Sequence, residues 1–431
     1  MTSILQALSC ADDYDPNSLH VDRARQLILD LLPPVSGSER VFVRQALDRV
    51  LAADVISPID VPAHDNSAMD GWGMRGADLT AGSETQLKNI GTAFAGRAFE
   101  GKVGAGETVR IKTGAVLPEG VDTVVIQEVA RVDGDTVTVP SGQQTGQNTR
   151  RAGEDLQAGK AALPAGRRLG PADIGLIASL GLAEVTVRRR VRVAFFSTGD
   201  ELCSIGEPLA EGAVYDSNRY TLWGMLTRLD CEVIDMGVVK DDPAALEAAF
   251  RDAAACSDAI ITSGGVSVGE ADFIKQLMAQ LGEVAFWKIA MKPGRPMAFG
   301  RIGKTPPDGA DRPGAWLFGL PGNPVAVMVT FYQFVRPAIQ KLAGLAPLPV
   351  VPSFQARCLE AMKKSPGRTE YQRGILGRDE NGEWTVRPTG AQGSGVLRSM
   401  ADADCFIVLE HERGKVGAGD TVTVQPLAAI V

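Results

Sequence analysis

Asp258–Asp272 reads DAIITSGGVSVGEAD, and the fold turns on how that stretch divides. The apolar run DAIIT breaks at the loop SGGVSVG, and an amphipathic helical pattern follows from Glu270 to Leu281, ended by Gly282. A short apolar strand, a glycine loop and an amphipathic helix make the unit of a parallel sheet buried on both faces. The same alternation extends both ways. Upstream, the strand VRVAFF enters the loop Ser197–Leu202 (STGDEL), a helix follows Asp216-Ser217-Asn218, and CEVIDMGVV is the next strand. Asp242-Pro243 is a helix start, with a carboxylate N-cap and proline at the first helical position. Downstream, AWLFGL enters the loop Leu320–Pro324 (LPGNP), where a helix opens at Asn323-Pro324. This order predicts a doubly wound, mostly parallel α/β domain over 191–344.

The remainder has another texture. Residues 1–18 read as a disordered lead, and Leu19–Leu32 has helical spacing that stops at Pro33-Pro34. A second helical stretch is expected near Arg44 to Ala53. Over 58–155 the chain becomes short β runs with Gly and Pro turns, including the hairpin-like EVARVDGDTVTV, so an inserted β-rich domain is expected there. The flanks, 19–57 and 156–190, are expected to rejoin as a linker domain. From 345 to 431 alternating runs return around an Asn381-Gly382 hairpin turn, predicting a C-terminal β-barrel-like domain. The fold class is therefore α/β plus β, in several domains.

Composition bounds the function. A length of 431 residues suggests two to four domains, and 45% hydrophobic with 22% charged residues is ordinary for a globular protein. The net charge of −8 argues against a nucleic-acid surface, which needs a basic stripe. The start, MTSILQALSCADDYDPN, lacks the basic and apolar regions of a signal peptide. The apolar run Ala315–Val335 is split by Pro-Gly-Asn-Pro into pieces too short to span a bilayer, so no membrane role is expected. Six cysteines without a C-x-x-C pair fit reduced thiols in the cytoplasm, and three histidines leave little for His-based catalysis.

An acidic protein binds anions only at a local site. In an open parallel sheet that site lies beyond the carboxyl ends of the strands, where STGDEL, TSGGVSVGEAD and LPGNP all emerge. Gly264 and Gly265 allow close backbone approach, Ser263 and Ser267 offer hydroxyls, and two helix N-termini point amides at the same place. Tight strand-to-helix turns would use the same glycines, and one such loop does not separate the readings; three together favour a phosphate cradle. Glu201, Asp241 and Asp272 stand beside these loops, although Asp272 also suits a helix first turn. Carboxylates next to phosphate repel it unless a divalent cation intervenes, which implies Mg²⁺. Lys288, Lys292 and Arg295, in KIAMKPGRP, concentrate positive charge around a Pro-Gly turn; a solvated loop would read the same. In the β-rich part, Asp70 lies in PAHDNSAMDGW, where Asp65-Asn66 resembles an Asx-turn and Gly71 is expected to need a special backbone shape.

Read together, PAHDNSAMDG, RIKTGAVLPEG, RRAGED, FSTGDEL, TSGGVSVGEAD, WKIAMKPGRP, GLPGNPVAV and PGRTEYQRG occur in the order seen in molybdopterin molybdenumtransferases, and the chain resembles that family from about 19 to 425. The gephyrin E domain is similar to the same group. The resemblance implies that adenylylated molybdopterin and molybdate are the substrates, that a divalent metal assists, and that AMP and molybdenum cofactor are released. It implies an elongated subunit, a molybdopterin-binding α/β domain, a linker that also dimerises, and a homodimer whose cleft joins the α/β domain of one chain to the β-rich domain of the other. By motif, Glu201, Asp241 and Asp272 correspond to acids around pterin, nucleotide and metal. Asp70, Thr113 and Asp155 fall on the partner side of the cleft. Lys288 and Lys292 match cationic positions, and Pro321, Gly322, Asn323 and Pro324 form the LPGNP loop. Arg368 and Ser394 belong to the molybdate end.

Two departures stand out. Trp72-Gly73 replaces the Tyr-Ala of many relatives, altering packing or one cleft wall. Lys304–Gly314 (KTPPDGADRPG) reads as an extended hairpin tip of no assigned purpose. Two other functions share parts of this pattern: adenylylation of molybdopterin by proteins resembling the α/β domain alone, and non-catalytic scaffolding of the gephyrin E kind. The extra β domains and the full acidic set favour insertion. Transient contacts with a molybdopterin-adenylylating protein and with molybdoenzyme targets would follow.

Overall fold

Every position of Ala259–Ser263 and of Ala315–Leu320 is buried, as an apolar run requires of a strand covered on both faces. The structure is a computed structural model that describes residues 15, 17–264, 271–303 and 314–429, the side chains of 271–275 and 429 excepted. The lead to residue 14, Gly265, Ser267, the Asp272 side chain and nearly all of the Lys304–Gly314 tip thus lie outside the described residues.

The central sheet runs in the order Glu232–Val239, Arg192–Thr198, Ala259–Ser263, Ala315–Leu320, Pro296–Ile302, Gly282–Lys288. Its first four strands are parallel. The last two form an antiparallel hairpin on the far edge. That hairpin is not predicted from the sequence, because a strand on an antiparallel edge needs no crossover helix to announce it. Along the parallel strands Val193, Phe195, Ile261 and Phe318 enter one core, while Ala194, Phe196, Ile260 and Leu317 enter the other. That is the period of two imposed by the pleat. The helices Ser217–Arg228 and Pro324–Thr330 cover the first face, and Pro243–Cys256 and Ala271–Leu281 the second.

The helix Val21–Leu31 buries Val21, Ala24, Leu27 and Ile28 in the first of these cores, so it packs on the α/β unit. The helix expected near Arg44 to Ala53 is a single 3-10 turn, Val43–Gln45. Asp48 takes a positive φ of 64° there, and Val50 and Leu51 bridge to Arg168 and Val187, so pairing across the insertion overrides local helical spacing. Ser38–Phe42 pairs with Glu184–Arg188, and Val55–Ile56 with Ala161–Leu163.

Between those pairings lies the β-rich unit, a sheet ordered Thr123–Ile126, Gly71–Met74, Glu107–Ile111, Thr85–Ala93, Thr136–Val139, Arg131–Asp133. Gly71 has an ordinary φ; it is glycine because a Cβ would strike the Val125 carbonyl oxygen across the ladder. Trp72 is buried with Met74, Leu87 and Val125, so the Trp72-Gly73 departure acts on packing. At the other end Thr369–Arg378, Trp384–Pro388, Phe354–Cys358, Thr421–Pro426 and Cys405–Leu409 close into a five-stranded barrel. Tyr371 and Phe406 of the barrel belong to the same core as the central sheet. No helix among the described residues is long and apolar enough to cross a membrane.

Phe318 is fully buried and its ring centroid lies 5.4 Å from that of Phe299. Phe318→Ala should therefore destabilise the α/β unit by about 3–5 kcal/mol, read as a lower urea midpoint; a change below about 1 kcal/mol would mean that this core is not close-packed.

Candidate functional site

Parallel strands end at one edge, and here the three loops meet there. The Gly264 amide donates to the Leu320 carbonyl at 3.2 Å, which ties the glycine loop to LPGNP. Gly264 has a φ of +94°, and a Cβ on it would stand 2.5 Å from the Thr198 carbonyl oxygen, so only glycine fits between the loops. Asn218, in the first turn of its helix, donates through Nδ2 to Ser263 Oγ and to the Gly322 carbonyl, each at 2.7 Å. One amide therefore pins both loops. A short ladder, Leu202–Cys203 against Val214–Tyr215, folds the STGDEL loop back so that Asp216 and Asn218 reach this edge.

Four side chains there carry buried polar atoms with no partner among the described residues: Ser197 Oγ, Thr198 Oγ1, Asp216 Oδ2 and Asn218 Oδ1. Asp216 spends its other oxygen on the Arg219 amide as N-cap. Leaving such an atom unsatisfied costs about 1–3 kcal/mol. Four at one edge mark a place built for a polar occupant. The sequence marks Asp216-Ser217-Asn218 as a helix start; the further signal there is an amide-bearing residue, Asn218, inside the first turn, beyond what the Asp216 cap uses.

Acids stand above the same edge. The Asp241 amide approaches Asp200 Oδ1 at 3.5 Å, so the loops after Thr198 and after Val239 adjoin. A Cβ on Gly199 would lie 2.6 Å from Glu201 Oε2, so that glycine gives the Glu201 carboxylate its room. Glu201 and Asp241 are both exposed. No three metal-binding side chains converge among the described residues, of which Asp272 is not one in its side chain.

The cations are gathered by the barrel. Met291–Lys292 pairs with Thr369–Glu370, extending the barrel wall with a piece of the α/β unit. Glu370, only 2% exposed, accepts from Arg368 Nε at 3.0 Å and lies 3.9 Å from Lys292 Nζ. The turn between holds on to the LPGNP helix: Gly294, at φ +95°, has Thr330 where a Cβ would go. Lys288 is half-buried at the end of the edge strand, and the Arg295 side chain is exposed. Ser394 reaches LPGNP directly, since its carbonyl accepts from the Val325 amide at 3.0 Å. Its segment is fastened by Arg373, 1% exposed, which donates to Ser399 Oγ and to the Gly393 carbonyl. Burial pulls the Arg373 guanidinium down to about 10. The structure thus brings together Ser263, Gly264, Pro321–Pro324 and Ser394, and separately Lys292 with Arg368. Glu370, Arg373 and Asn218 were not foreseen.

In the β-rich unit Asp70 is held by its neighbours. Its Oδ1 accepts from the Thr113 amide and hydroxyl, both at 2.8 Å, and its Oδ2 from Lys112 Nζ at 2.8 Å. Those bonds, Lys112 foremost, hold the Asp70 carboxyl well below the usual carboxylate range. Asp65 does not make an Asx-turn; its Oδ1 accepts from the Ala152 amide at 2.7 Å and ties PAHDNSAMDG to RRAGED. Asp155 is exposed beside the same strand crossing, its amide donating to the Val61 carbonyl at 3.0 Å. The bonds of Asp70 and Thr113 stay inside this unit.

Comparison with known proteins gives a consistent answer. Residues 19–181 match the MoeA N-terminal region (domain I and II), 194–341 a probable molybdopterin binding domain, and 355–427 the MoeA C-terminal region (domain IV). A molybdopterin molybdenumtransferase of Haemophilus influenzae is 45% identical over 95% of this chain and 98% of its own. One from Nostoc is 35% identical over 97% of this chain and 99% of its own. Gephyrin of Dictyostelium discoideum is 31% identical over 94% of this chain and 62% of its own. The crystal structure of a molybdopterin biosynthesis moeA protein from Pyrococcus horikoshii superposes with a TM-score of 0.79 at 27% identity, over 95% of this chain and 100% of that one.

Two outcomes follow from the geometry. The Asp70 carboxyl carbon, followed by NMR, should show no inflection near pH 4, because its depressed value keeps it ionised there; a normal titration would mean the Lys112 and Thr113 bonds are not formed in solution. Gly264→Ala should abolish ligand binding at this edge, with the protein otherwise folded, and full retention of binding would show that the loops can part.

Proposed function

The chain belongs to the molybdopterin molybdenumtransferase family, and on that premise we propose that it inserts molybdate into adenylylated molybdopterin, releasing AMP and molybdenum cofactor. The observation that carries this reading is the set of four buried polar atoms at the carboxyl edge of the sheet that have no partner among the described residues, beside Gly264, where only glycine fits. A polar, anionic pterin nucleotide meets that need. Matches along the β-rich and barrel regions as well favour insertion over adenylylation.

In this reading Ser263, Gly264, Gly265, Ser267 and the Pro321, Gly322, Asn323 and Pro324 loop bind the phosphate and pterin side with backbone amides and hydroxyls. Lys292, Arg368 and Ser394 receive molybdate, with Lys288 and Arg295 adding positive potential at the mouth. Lys292 and Arg368 are each about half exposed, at 50% and 43%, and so keep donors for an oxyanion.

The oxygen donors of Glu201, Asp241 and Asp272 are the hard ligands that Mg²⁺ prefers. Bound there, Mg²⁺ would offset the charge of the pyrophosphate that is cleaved. The carboxylates would hold that ion and, through it, orient the phosphate group. Asp70, Thr113 and Asp155 act from the other subunit of a homodimer. Supporting that, Asp70 and Thr113 are fixed by bonds within their own unit, while Ile205, Leu209, Tyr215, Tyr220 and Trp223 leave apolar surface exposed along the chain that follows the STGDEL loop. The working place is the cytoplasm, with transient handover from the adenylylating protein and to molybdoenzymes.

Purified protein given adenylylated molybdopterin, molybdate and Mg²⁺ should release AMP. Omitting molybdate, or adding a chelator without surplus Mg²⁺, should stop it. Glu201→Ala or Asp272→Ala should lower turnover about a hundredfold while the unfolding midpoint stays put. A folded protein with no molybdate-dependent AMP release would overturn the transferase reading.

A further inference from the structure

Glu370 has no role among the residues assigned above, yet its placement is chemically expensive. A carboxylate 2% exposed gives up nearly all its water, and only close cations and donors offset that loss. It has three: Arg368 Nε at 3.0 Å, Lys292 Nζ at 3.9 Å, and Gln372 Nε2 at 3.4 Å. The two cations come from different units. Arg368 precedes the barrel strand that carries Glu370, whereas Lys292 lies in the connection that joins the two strands of the edge hairpin of the α/β unit. Two like charges do not settle side by side unaided, because they repel.

Resting on the transferase reading, we propose that Glu370 is a positioning residue for the oxyanion substrate. It holds Lys292 and Arg368 together from beneath, so that their remaining donors form one site for a tetrahedral oxyanion. The bonds of the two cations divide accordingly. Arg368 gives Glu370 its Nε, leaving the terminal nitrogens of the guanidinium without a described protein partner. The Lys292–Glu370 contact is long, so the ammonium keeps its donors open. Glu370 touches neither substrate; it acts through the two cations.

The sign of one substitution separates this from simple electrostatics. Glu370→Gln removes a negative charge beside an anion site, and by charge alone molybdate should then bind more tightly. Loss of positioning predicts the reverse. Calorimetric titration of the full chain with sodium molybdate should show the dissociation constant of Glu370→Gln raised about tenfold. In turnover, KM for molybdate should rise by a similar factor, kcat at saturating molybdate should stay near wild type, and binding of adenylylated molybdopterin alone should be unchanged. Glu370→Asp, which keeps the charge but withdraws it by one methylene, should move molybdate affinity the same way by less, and it decides the matter if Glu370→Gln does not fold. Unchanged or tighter molybdate binding in a folded variant overturns the proposal, as does an equal weakening of pterin nucleotide binding. Failure of the wild type to release AMP would remove the transferase reading, while the molybdate titration would still decide on Glu370.

Discussion

Burying a polar atom without a partner costs about 1–3 kcal/mol, and the carboxyl edge of the central sheet buries four side-chain atoms that have no partner among the described residues. Folding alone gives no reason to keep Ser197, Thr198, Asp216 and Asn218 in that state. The apolar strands that precede them do: once Arg192–Thr198 and Ala259–Ser263 are packed on both faces, their ends cannot move to find partners. A rigid, close-packed interior is what makes the polar edge available to a ligand. Asn218 then joins two loops with one amide, and Gly264 lets them touch.

The barrel is more than an appendage to that site. Tyr371 and Phe406 share the core of the α/β unit, so the barrel is docked through an apolar contact. Polar consequences follow from that docking. The Met291–Lys292 ladder, the Lys292–Glu370 ion pair and the bond from the Val325 amide to the Ser394 carbonyl all cross the same boundary. A buried cation, Arg373, and a buried anion, Glu370, lie on one strand and directly flank Tyr371 and Gln372. Each organises a different segment that leans toward LPGNP. An isolated α/β domain would have the cradle for a phosphate but not the gathered cations.

Much of this was legible in residue order. Strand Ala259–Ser263, helix Pro243–Cys256 with its Asp242 cap, and the helix opening at Pro324 all sit where apolar run, cap and proline put them. The edge hairpin Gly282–Lys288 and Pro296–Ile302 was not, since strands with charged residues at their ends and no crossover helix carry a weak local signal. The helix read near Arg44 to Ala53 failed for the opposite reason, a strong local pattern overruled by distant pairing with Arg168 and Val187. The motif residues were found, and their supports were not: Glu370, Arg373 and Asn218 are ordinary polar letters until their burial is known.

What the sequence determined by itself is the class of fold and the family, because apolar periodicity, glycine loops and long odd motifs are local properties written in consecutive residues. What only tertiary structure decided is which of the marked residues meet. Lys292 and Arg368 are far apart in the chain and reach the same buried carboxylate, Glu370, because the Met291–Lys292 segment pairs with the barrel strand that carries it. Gly71, read as a backbone special, proved to be a matter of clearance from the Val125 carbonyl. Burial, clearance and the company a charge keeps depend on segments brought together by packing, and no window of sequence contains them.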